Sequence, residues 1–223
     1  MGVARVSVRH AAGRGPVPGV TVRIEEDNMA RIPAVPADEA GVLGRLVYRF
    51  ARRRFGDVPE PFGVARHHRK VFWAQLVTEA AHEKAATVLP ARLRELAVFR
   101  TATVVGCSWC VDFGTMLQRL DGLDIERLEH IDSYATHPAY EPLERLVIAY
   151  ADAMTATPPT VTDGQVAELE EALGRTGLIE LTTQVALENM RARSNHAFGI
   201  TEQGFDAACK VRLGPGGAPA SRG

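Results

Sequence analysis

The fold is decided by two neighbouring stretches of the chain, Glu95-Leu96-Ala97-Val98-Phe99-Arg100 and Gly106-Cys107-Ser108-Trp109-Cys110-Val111-Asp112-Phe113. Apolar residues recur in both at the three- and four-residue spacing of a helix. Gly106 predicts a break between them, because glycine commonly ends a helix. The cysteines are therefore expected in the first turn of a new helix. Two intervening residues let both sulfurs lie on one face of that turn, close enough to form a disulfide.

This position predicts redox chemistry for Cys107 and Cys110. Unpaired N–H groups and the helix dipole favour a thiolate, and lower a cysteine pKa from ~8.5 by one to several units. One sulfur can then attack a substrate while its neighbour resolves the product. Three cysteines, two of them in a single C-x-x-C, do not make the disulfide framework of a secreted protein.

Two other interpretations of the pair stay open at this stage. A C-x-x-C can be half of a zinc site, but no second C-x-x-C or H-x-x-x-H follows at finger spacing. Both cysteines can also be inert core residues, since free cysteine packs well. A thioredoxin fold is disfavoured, because its motif lies among alternating strands and helices.

The rest of the chain also has helical periodicity, so the predicted class is all-α with about seven to eight helices. A Pro59-Glu60-Pro61 turn and Pro158-Pro159 are expected to end helices. Thr162 is a predicted helix start, and Gly174 and Gly177 are predicted stops. The predicted helices are Asp38 to Phe55, Val64 to Ala86, Pro90 to Val105, Cys107 to Leu120, Ile125 to Tyr134, Glu141 to Ala156, one following Thr162, and Leu178 to Ala197.

Composition predicts one helical domain over residues 29–213. Residues 1–28 are rich in Gly, Pro, Val and Arg and are expected to form a flexible extension, with Met29 a second candidate translation start. The tail, residues 214–223, has little to bury and is expected to be disordered. The 223 residues, 46% of them apolar, are enough to bury a core.

Charge and hydropathy exclude several function classes. The 26 basic and 27 acidic residues leave a formal charge of -1, which predicts no nucleic-acid partner. No apolar run approaches the ~20 residues that cross a bilayer, so no membrane association is expected. The N-terminus does not resemble a secretory signal, and we expect a cytoplasmic protein.

The two quoted stretches resemble the signature of the carboxymuconolactone decarboxylase and alkylhydroperoxidase D-like (AhpD-like) family, in which a glutamate precedes a C-x-x-C by about three helical turns. The later segment Asn189-Met190-Arg191-Ala192-Arg193-Ser194-Asn195-His196-Ala197-Phe198-Gly199-Ile200 is similar to the end of the same family's last helix. The resemblance spans roughly residues 38 to 205. It implies an AhpD-like orthogonal helical bundle.

The resemblance also implies an activity, a thiol-dependent reduction of hydroperoxides or exchange of disulfides. A partner dithiol protein would then reduce the disulfide, with no organic cofactor and no metal. The family pattern gives Cys110 the attacking role and Cys107 the resolving role, whereas helix placement alone also permits Cys107 to be the more activated sulfur. Family members form homo-oligomers, so a trimer or hexamer is expected.

The chain departs from the family pattern at Gly114, where peroxidase members carry a histidine that relays a proton to the thiol. Because glycine cannot relay a proton, either the relay comes from Glu95, Asp112 or a distant histidine, of which His196 is the best placed, or the peroxidase activity is weak or absent. A straight helix would hold Glu95 ~18 Å from the thiols unless the chain folds back at Gly106. Cys209 is expected to be a packed or exposed thiol.

Two rival functions remain. The decarboxylase branch of the family acts as a lyase on a lactone ring acid, and its members lack this C-x-x-C. The other rival is a non-enzymatic helical oligomer that has lost the relay histidine together with its chemistry. Such a protein would have ordinary thiol pKa values.

Overall fold

The computed structural model describes residues 30–205, and within this range the chain forms eight helices and no strand. The predicted all-α class is therefore confirmed. The predicted N-terminal extension, the alternative start at Met29, the tail and Cys209 lie outside the described residues. The helices are α1 (Gly41–Phe55), α2 (Glu60–Ala65), α3 (Arg69–Ala85), α4 (Ala91–Val105), α5 (Ser108–Leu120), a 3₁₀ helix (Glu126–Ser133), α6 (Pro142–Thr155) and α7 (Asp163–Phe198).

Helix α4 lies at the centre and packs against α5, α6 and α7. Its apolar residues are buried on several sides, and even the Thr101 hydroxyl is satisfied internally, by the carbonyl of Ala97 at 2.9 Å. One apolar cluster joins α4 to α6 and α7 through Leu93, Val147 and Leu181. A helix that is apolar on most sides is stable only in the middle of a bundle.

A second apolar cluster surrounds the start of α5. It contains both cysteines of the C-x-x-C, together with Trp109, Met116 and Ala192. The cysteine pair therefore lies in the core of the bundle, at the end where α4, α5 and α7 meet.

Two left-handed turns position this end of the bundle. Gly106 has a φ of 78°; its N–H donates to the carbonyl of Thr103 at 3.1 Å, and the N–H of Cys107 donates to that of Ala102 at 3.0 Å. This is the Schellman pattern, which ends α4 and reverses the chain. Gly199, with a φ of 67°, ends α7 in the same way.

The predicted helix from Val64 to Ala86 is wrong in its first part. The structure has the short α2 before it, a break, and α3 beginning only at Arg69. The turn predicted at Pro59-Glu60-Pro61 is instead the start of α2, because proline fits the first helical turn. His68 ends the break by capping α3, since its Nδ1 accepts the N–H of Val71 at 3.2 Å.

Two other elements differ from the sequence-based prediction. The segment predicted as a short helix after Ile125 is 3₁₀. Helix α1 begins at Gly41 rather than Asp38, since Gly41 has a φ of 71°. The stop predicted at Gly174 is confirmed, since its φ of 68° and ψ of 163° are non-helical and divide α7 into two helical parts. No described helix has the length and apolarity that a membrane span requires.

Gly106 and Gly114 offer a matched test of the turn, because a Cβ added at either position meets no atom within 4 Å. Only Gly106 has a positive φ; Gly114 lies within α5. We expect Gly106→Ala to lower the free energy of unfolding by about 1–2 kcal/mol, since a side chain there is strained. Gly114→Ala is expected to raise it by about 0.5–1 kcal/mol. Urea unfolding of both variants measures this; equal effects would contradict the role of the turn.

Candidate active site

The cysteine pair lies at the start of α5, as the sequence predicted. Cys107 is the N-cap residue, and its Sγ accepts the backbone N–H of Cys110 at 3.2 Å. A disulfide joins the two cysteines, whose Cα atoms are 5.3 Å apart. Cys107 is 2% exposed and Cys110 8% exposed. The pair is thus nearly buried, with Cys110 the more exposed residue.

Asn195 brings α7 to the pair. Its Nδ2 lies 3.5 Å from the Sγ of Cys110 and 3.8 Å from that of Cys107, and its side chain is buried. An amide donor beside both sulfurs favours negative charge on either of them. The family-like segment of the sequence contains Asn195, but its neighbour His196 was the predicted substitute for the missing relay histidine. The register of α7 puts the asparagine, not the histidine, against the sulfurs.

Aromatic rings share the apolar cluster of the two cysteines and form an aromatic cover there. Trp109 stacks on Phe113 with ring centroids 4.7 Å apart. Phe205 meets both rings edge-on, and Phe55 of α1 meets Phe113 in the same manner. These rings exclude water from the start of α5, which strengthens the local electrostatic interactions of the sulfurs.

Asp112 holds the segment that follows α7. Its Oδ2 accepts the backbone N–H groups of Gln203 and Phe205, both at 3.0 Å. The side chain of Gln203 in turn accepts the indole N–H of Trp109 at 2.6 Å and the backbone N–H of Glu60 at 2.7 Å. The carboxylate selected from the sequence as a catalytic candidate is therefore engaged in fixing the aromatic cover.

Glu95 lies towards the far end of α5 from the cysteines. Burial raises the pKa of its carboxyl, and Arg94, 2.9 Å away, opposes that rise. The negative charge of Asp121, the residue that ends α5, also raises the pKa of the Glu95 carboxyl. Because α4 and α5 run in opposite directions about Gly106, the fold does return Glu95 to α5, but near its C-terminal end.

A buried carboxylate that sequence reasoning missed is Glu188 of α7, which is 3% exposed. Burial raises its pKa to about 7, an increase that Arg191 opposes and that the charges of Glu79 and Glu95 add to. Arg191 donates to Oε2 of Glu188 at 3.2 Å and also pairs with Glu79 of α3. The other oxygen, Oε1, has no hydrogen-bond partner among the described residues. A single glutamate in a helical pattern carries no signal for this; only packing reveals it.

His196 is exposed and lines a surface groove of about 580 Å³. Val104 and Val105 line the groove at the end of α4, and Arg193 and Ala197 line it from α7. The groove adjoins the chain segments that carry Cys107 and Asn195. His196 can therefore contact a molecule that binds in the groove.

Among the described residues, no group of three or more His, Cys, Asp or Glu side chains is placed to hold a metal ion. The cysteines have an amide and aromatic rings as neighbours, which are not the ligands of a structural zinc. The arrangement instead suits sulfur chemistry: two adjacent sulfurs, hydrogen-bond donors to both, and a buried acid in the same bundle.

Sequence comparison finds a relative without a described function. Over 160 residues the chain is 29% identical to the uncharacterised protein YnjA of Escherichia coli (strain K12). The aligned region covers 72% of this chain and 86% of YnjA. No family model matches the chain.

Structural comparison finds AhpD-like and peroxidase-related proteins, so the predicted AhpD-like fold is confirmed. An AhpD-core protein from Ralstonia eutropha JMP134 matches with a TM-score of 0.63 and 18% identity, over 79% of this chain and 94% of that one. A peroxidase-related protein from Silicibacter sp. TM1040 matches with a TM-score of 0.64 and 15% identity, over 74% of this chain and 87% of that one.

The debrominase Bmp8 has the same fold. It matches with a TM-score of 0.68 and 17% identity, over 81% of this chain and 96% of that one. A cysteine-to-alanine variant of Bmp8 in complex with 2,3,4-tribromopyrrole matches equally well. At these identities the likeness concerns the fold alone, and the fold accommodates more than one chemistry.

In the reduced protein we expect Cys107 to have a lower pKa than Cys110. Cys107 is the N-cap residue, and its sulfur accepts hydrogen bonds from Cys110 and Asn195, whereas that of Cys110 accepts only from Asn195. The measurement is the pH dependence of iodoacetamide alkylation in Cys107→Ser and Cys110→Ser. We expect Cys107 to titrate at least about one pH unit below the ordinary value of ~8.5. A lower pKa for Cys110 would contradict this reading of the N-cap.

Proposed function

We propose that this chain, which has the AhpD-like fold, is a thiol-dependent oxidoreductase that reduces hydroperoxides, or a partner's disulfide, through Cys107 and Cys110. The observation that carries the proposal is the pair itself: two adjacent, nearly buried sulfurs at a helix start, both within reach of the Asn195 amide. Inert core cysteines need no such donors. The enzymatic nature of neighbours that share the fold supports the same reading.

The reaction balances without an organic cofactor. The sulfur of Cys110 attacks the distal oxygen of a hydroperoxide, the O–O bond breaks, and Cys110 becomes a sulfenic acid while the alkoxide takes a proton to give an alcohol. Cys107 then attacks the oxidised sulfur, and water leaves as the disulfide forms. A dithiol protein reduces the disulfide and is itself oxidised.

The geometry favours Cys110 as the reacting sulfur and Cys107 as the resolving one. Cys110 is the more exposed of the two. Cys107 has the better stabilised thiolate, so it is the better leaving group when an external thiol attacks the disulfide at Cys110. The same stabilised thiolate is available at neutral pH to resolve the sulfenic acid.

The other predicted site residues have different roles in this proposal. Asp112 positions the aromatic cover through its two backbone hydrogen bonds. His196 contacts substrate or reductant in the groove, beside Arg193. Glu95 lies in α4 and contributes negative charge that raises the pKa of the buried Glu188 carboxyl in α7. A cytoplasmic location, which the sequence analysis predicts, would supply reduced dithiol proteins.

A second candidate is reductive dehalogenation, favoured by the fold that this chain shares with Bmp8 and by the cysteine varied in that protein's tribromopyrrole complex. In such a reaction two thiols become a disulfide while a carbon–bromine bond is replaced by carbon–hydrogen and bromide is released. Bromide release from 2,3,4-tribromopyrrole by the reduced protein would favour this activity over peroxide reduction.

We expect one equivalent of cumene hydroperoxide to convert the fully reduced protein to the Cys107–Cys110 disulfide. The reason is that a sulfenic acid on either cysteine has the other within bonding distance. Thiol counting and mass spectrometry of peptides measure the product. Cys107→Ser is expected to stop at sulfenic acid on Cys110, whereas Cys110→Ser should react at least about tenfold more slowly. If peroxide leaves the wild-type thiols reduced, the peroxidase proposal is wrong, and the non-enzymatic interpretation gains support.

The homo-oligomer that the sequence analysis predicts has a candidate contact surface on α1. Four large apolar residues of this helix are more than half exposed, Val42, Leu43, Leu46 and Phe50. Such a stripe on one 15-residue helix is typical of a surface that a partner covers. We propose that a second copy of this chain covers it.

Leu46→Gln tests this surface, with Arg49→Gln as the control at an exposed polar position of the same helix. We expect Leu46→Gln to shift the protein towards smaller species in light scattering after size exclusion, because it places an amide in an apolar contact. Arg49→Gln should leave the mass unchanged. A monomeric wild type at micromolar concentration would rule the oligomer out.

A further inference from the structure

We propose that residues 200–205, the lid segment, control the access of a reducing dithiol to the Cys107–Cys110 disulfide. The inference rests on the proposed function, since it names what regulates the reduction of that pair. In this step a thiolate of the dithiol attacks Sγ of Cys110, the bond to Cys107 breaks, and a mixed disulfide and a Cys107 thiolate result. The second thiol of the reductant then displaces Cys110, so that two electrons and two protons pass from the reductant to the pair.

Both residues between the two cysteines are bound by the lid segment. The hydroxyl of Ser108 donates to the carboxylate of Glu202, which lowers the pKa of that carboxyl. The indole N–H of Trp109 donates to Oε1 of Gln203 at 2.6 Å. Because Ser108 and Trp109 are also the first two residues of α5, the lid segment is attached to the same helical turn that carries the sulfurs.

Gln203 also joins the lid segment to the residues between α1 and α2. Its Oε1 accepts the backbone N–H of Glu60 at 2.7 Å, and its Nε2 donates to the carbonyl of Val58 at 3.2 Å. With the bond from Trp109, one exposed side chain makes three hydrogen bonds. Since water can replace such partners at the surface, these bonds keep the segment closed and still allow its release.

The two ends of the lid segment are apolar and lie in the cluster that buries the cysteines. Ile200 and Phe205 are both buried, and they share this cluster with Cys107 and Cys110. Phe205 also meets the ring of Trp109 edge-on. Release of the segment would withdraw Phe205 from the cluster and free the indole of Trp109. Cys110, which is nearly buried in the closed arrangement, would then be open to attack.

The lid segment is the part of this cluster that can move most readily. Helices supply most of the other buried members, whereas residues 200–204 form neither helix nor strand. The backbone of the segment is held to α5 by two hydrogen bonds, both to the carboxylate of Asp112. Segments with few buried apolar contacts and exposed hydrogen bonds open at a lower free energy than the helices of a core. A local opening therefore exposes the disulfide without unfolding the bundle.

The test follows reduction of the disulfide by excess dithiothreitol in Gln203→Ala, with Thr162→Ala as the control for overall stability. Gln203→Ala removes three hydrogen bonds of the lid segment, and we expect the rate constant of reduction to rise about tenfold, the effect of roughly one net hydrogen bond. Thr162→Ala removes the N-cap of α7 and lowers the stability of the whole fold, yet it should be reduced at the wild-type rate. An unchanged rate in Gln203→Ala, or an equal acceleration in Thr162→Ala, would overturn the proposal.

Fluorescence of Trp109 reports the position of the lid segment directly. The chain has two tryptophans, so Trp73→Phe leaves Trp109 as the single reporter. In this background we expect Gln203→Ala to raise the constant for acrylamide quenching of the oxidised protein at least about twofold, because the indole is released. Faster reduction with unchanged quenching would refute the lid, since the disulfide would then open without release of Trp109. A lid that opens as expected in a protein inert to peroxide and to disulfide substrates would refute the proposed function instead.

Discussion

The left-handed turn at Gly106 is the constraint on which the rest of the structure depends. It ends α4, reverses the chain and makes Cys107 the first capping group of α5, all within two residues. The Schellman hydrogen bonds satisfy the last carbonyls of α4, while the sulfur of Cys107 satisfies an N–H of α5. One backbone conformation thereby sets the helical hairpin, the proximity of the two sulfurs and their electrostatic environment.

Helix α7 completes this hairpin and supplies most of its polar groups. Asn195 donates to both sulfurs, and Glu188 and Arg191 form a buried charged group with Glu79 further along the same helix. Burying such groups is costly unless they are paired and hydrogen-bonded. The aromatic cover, held by Asp112 and Gln203, isolates the sulfurs from solvent, so the amide of Asn195 acts on them at low dielectric.

Helix positions could be predicted wherever apolar spacing and local end signals agree. The start of α7 at Thr162 has such a signal, a capping box with Gln165, and the kink at Gly174 follows from glycine. Local signals failed where tertiary contacts decide between similar alternatives. Pro61 is compatible with a turn or a first helical turn, and His68 became a cap only because the chain breaks there.

By itself the sequence determined that two cysteines lie at the start of a helix, because a glycine, a C-x-x-C and helical spacing are local properties. It also determined the all-α class, which follows from apolar periodicity. Only the tertiary structure decided which polar residues accompany the sulfurs. Asn195 and His196 are adjacent in sequence, and the rotation of α7 alone directs the amide inwards and the imidazole to the surface. Glu188 is likewise an ordinary helix glutamate until three helices enclose it, since burial is a property of the packed bundle and not of the chain.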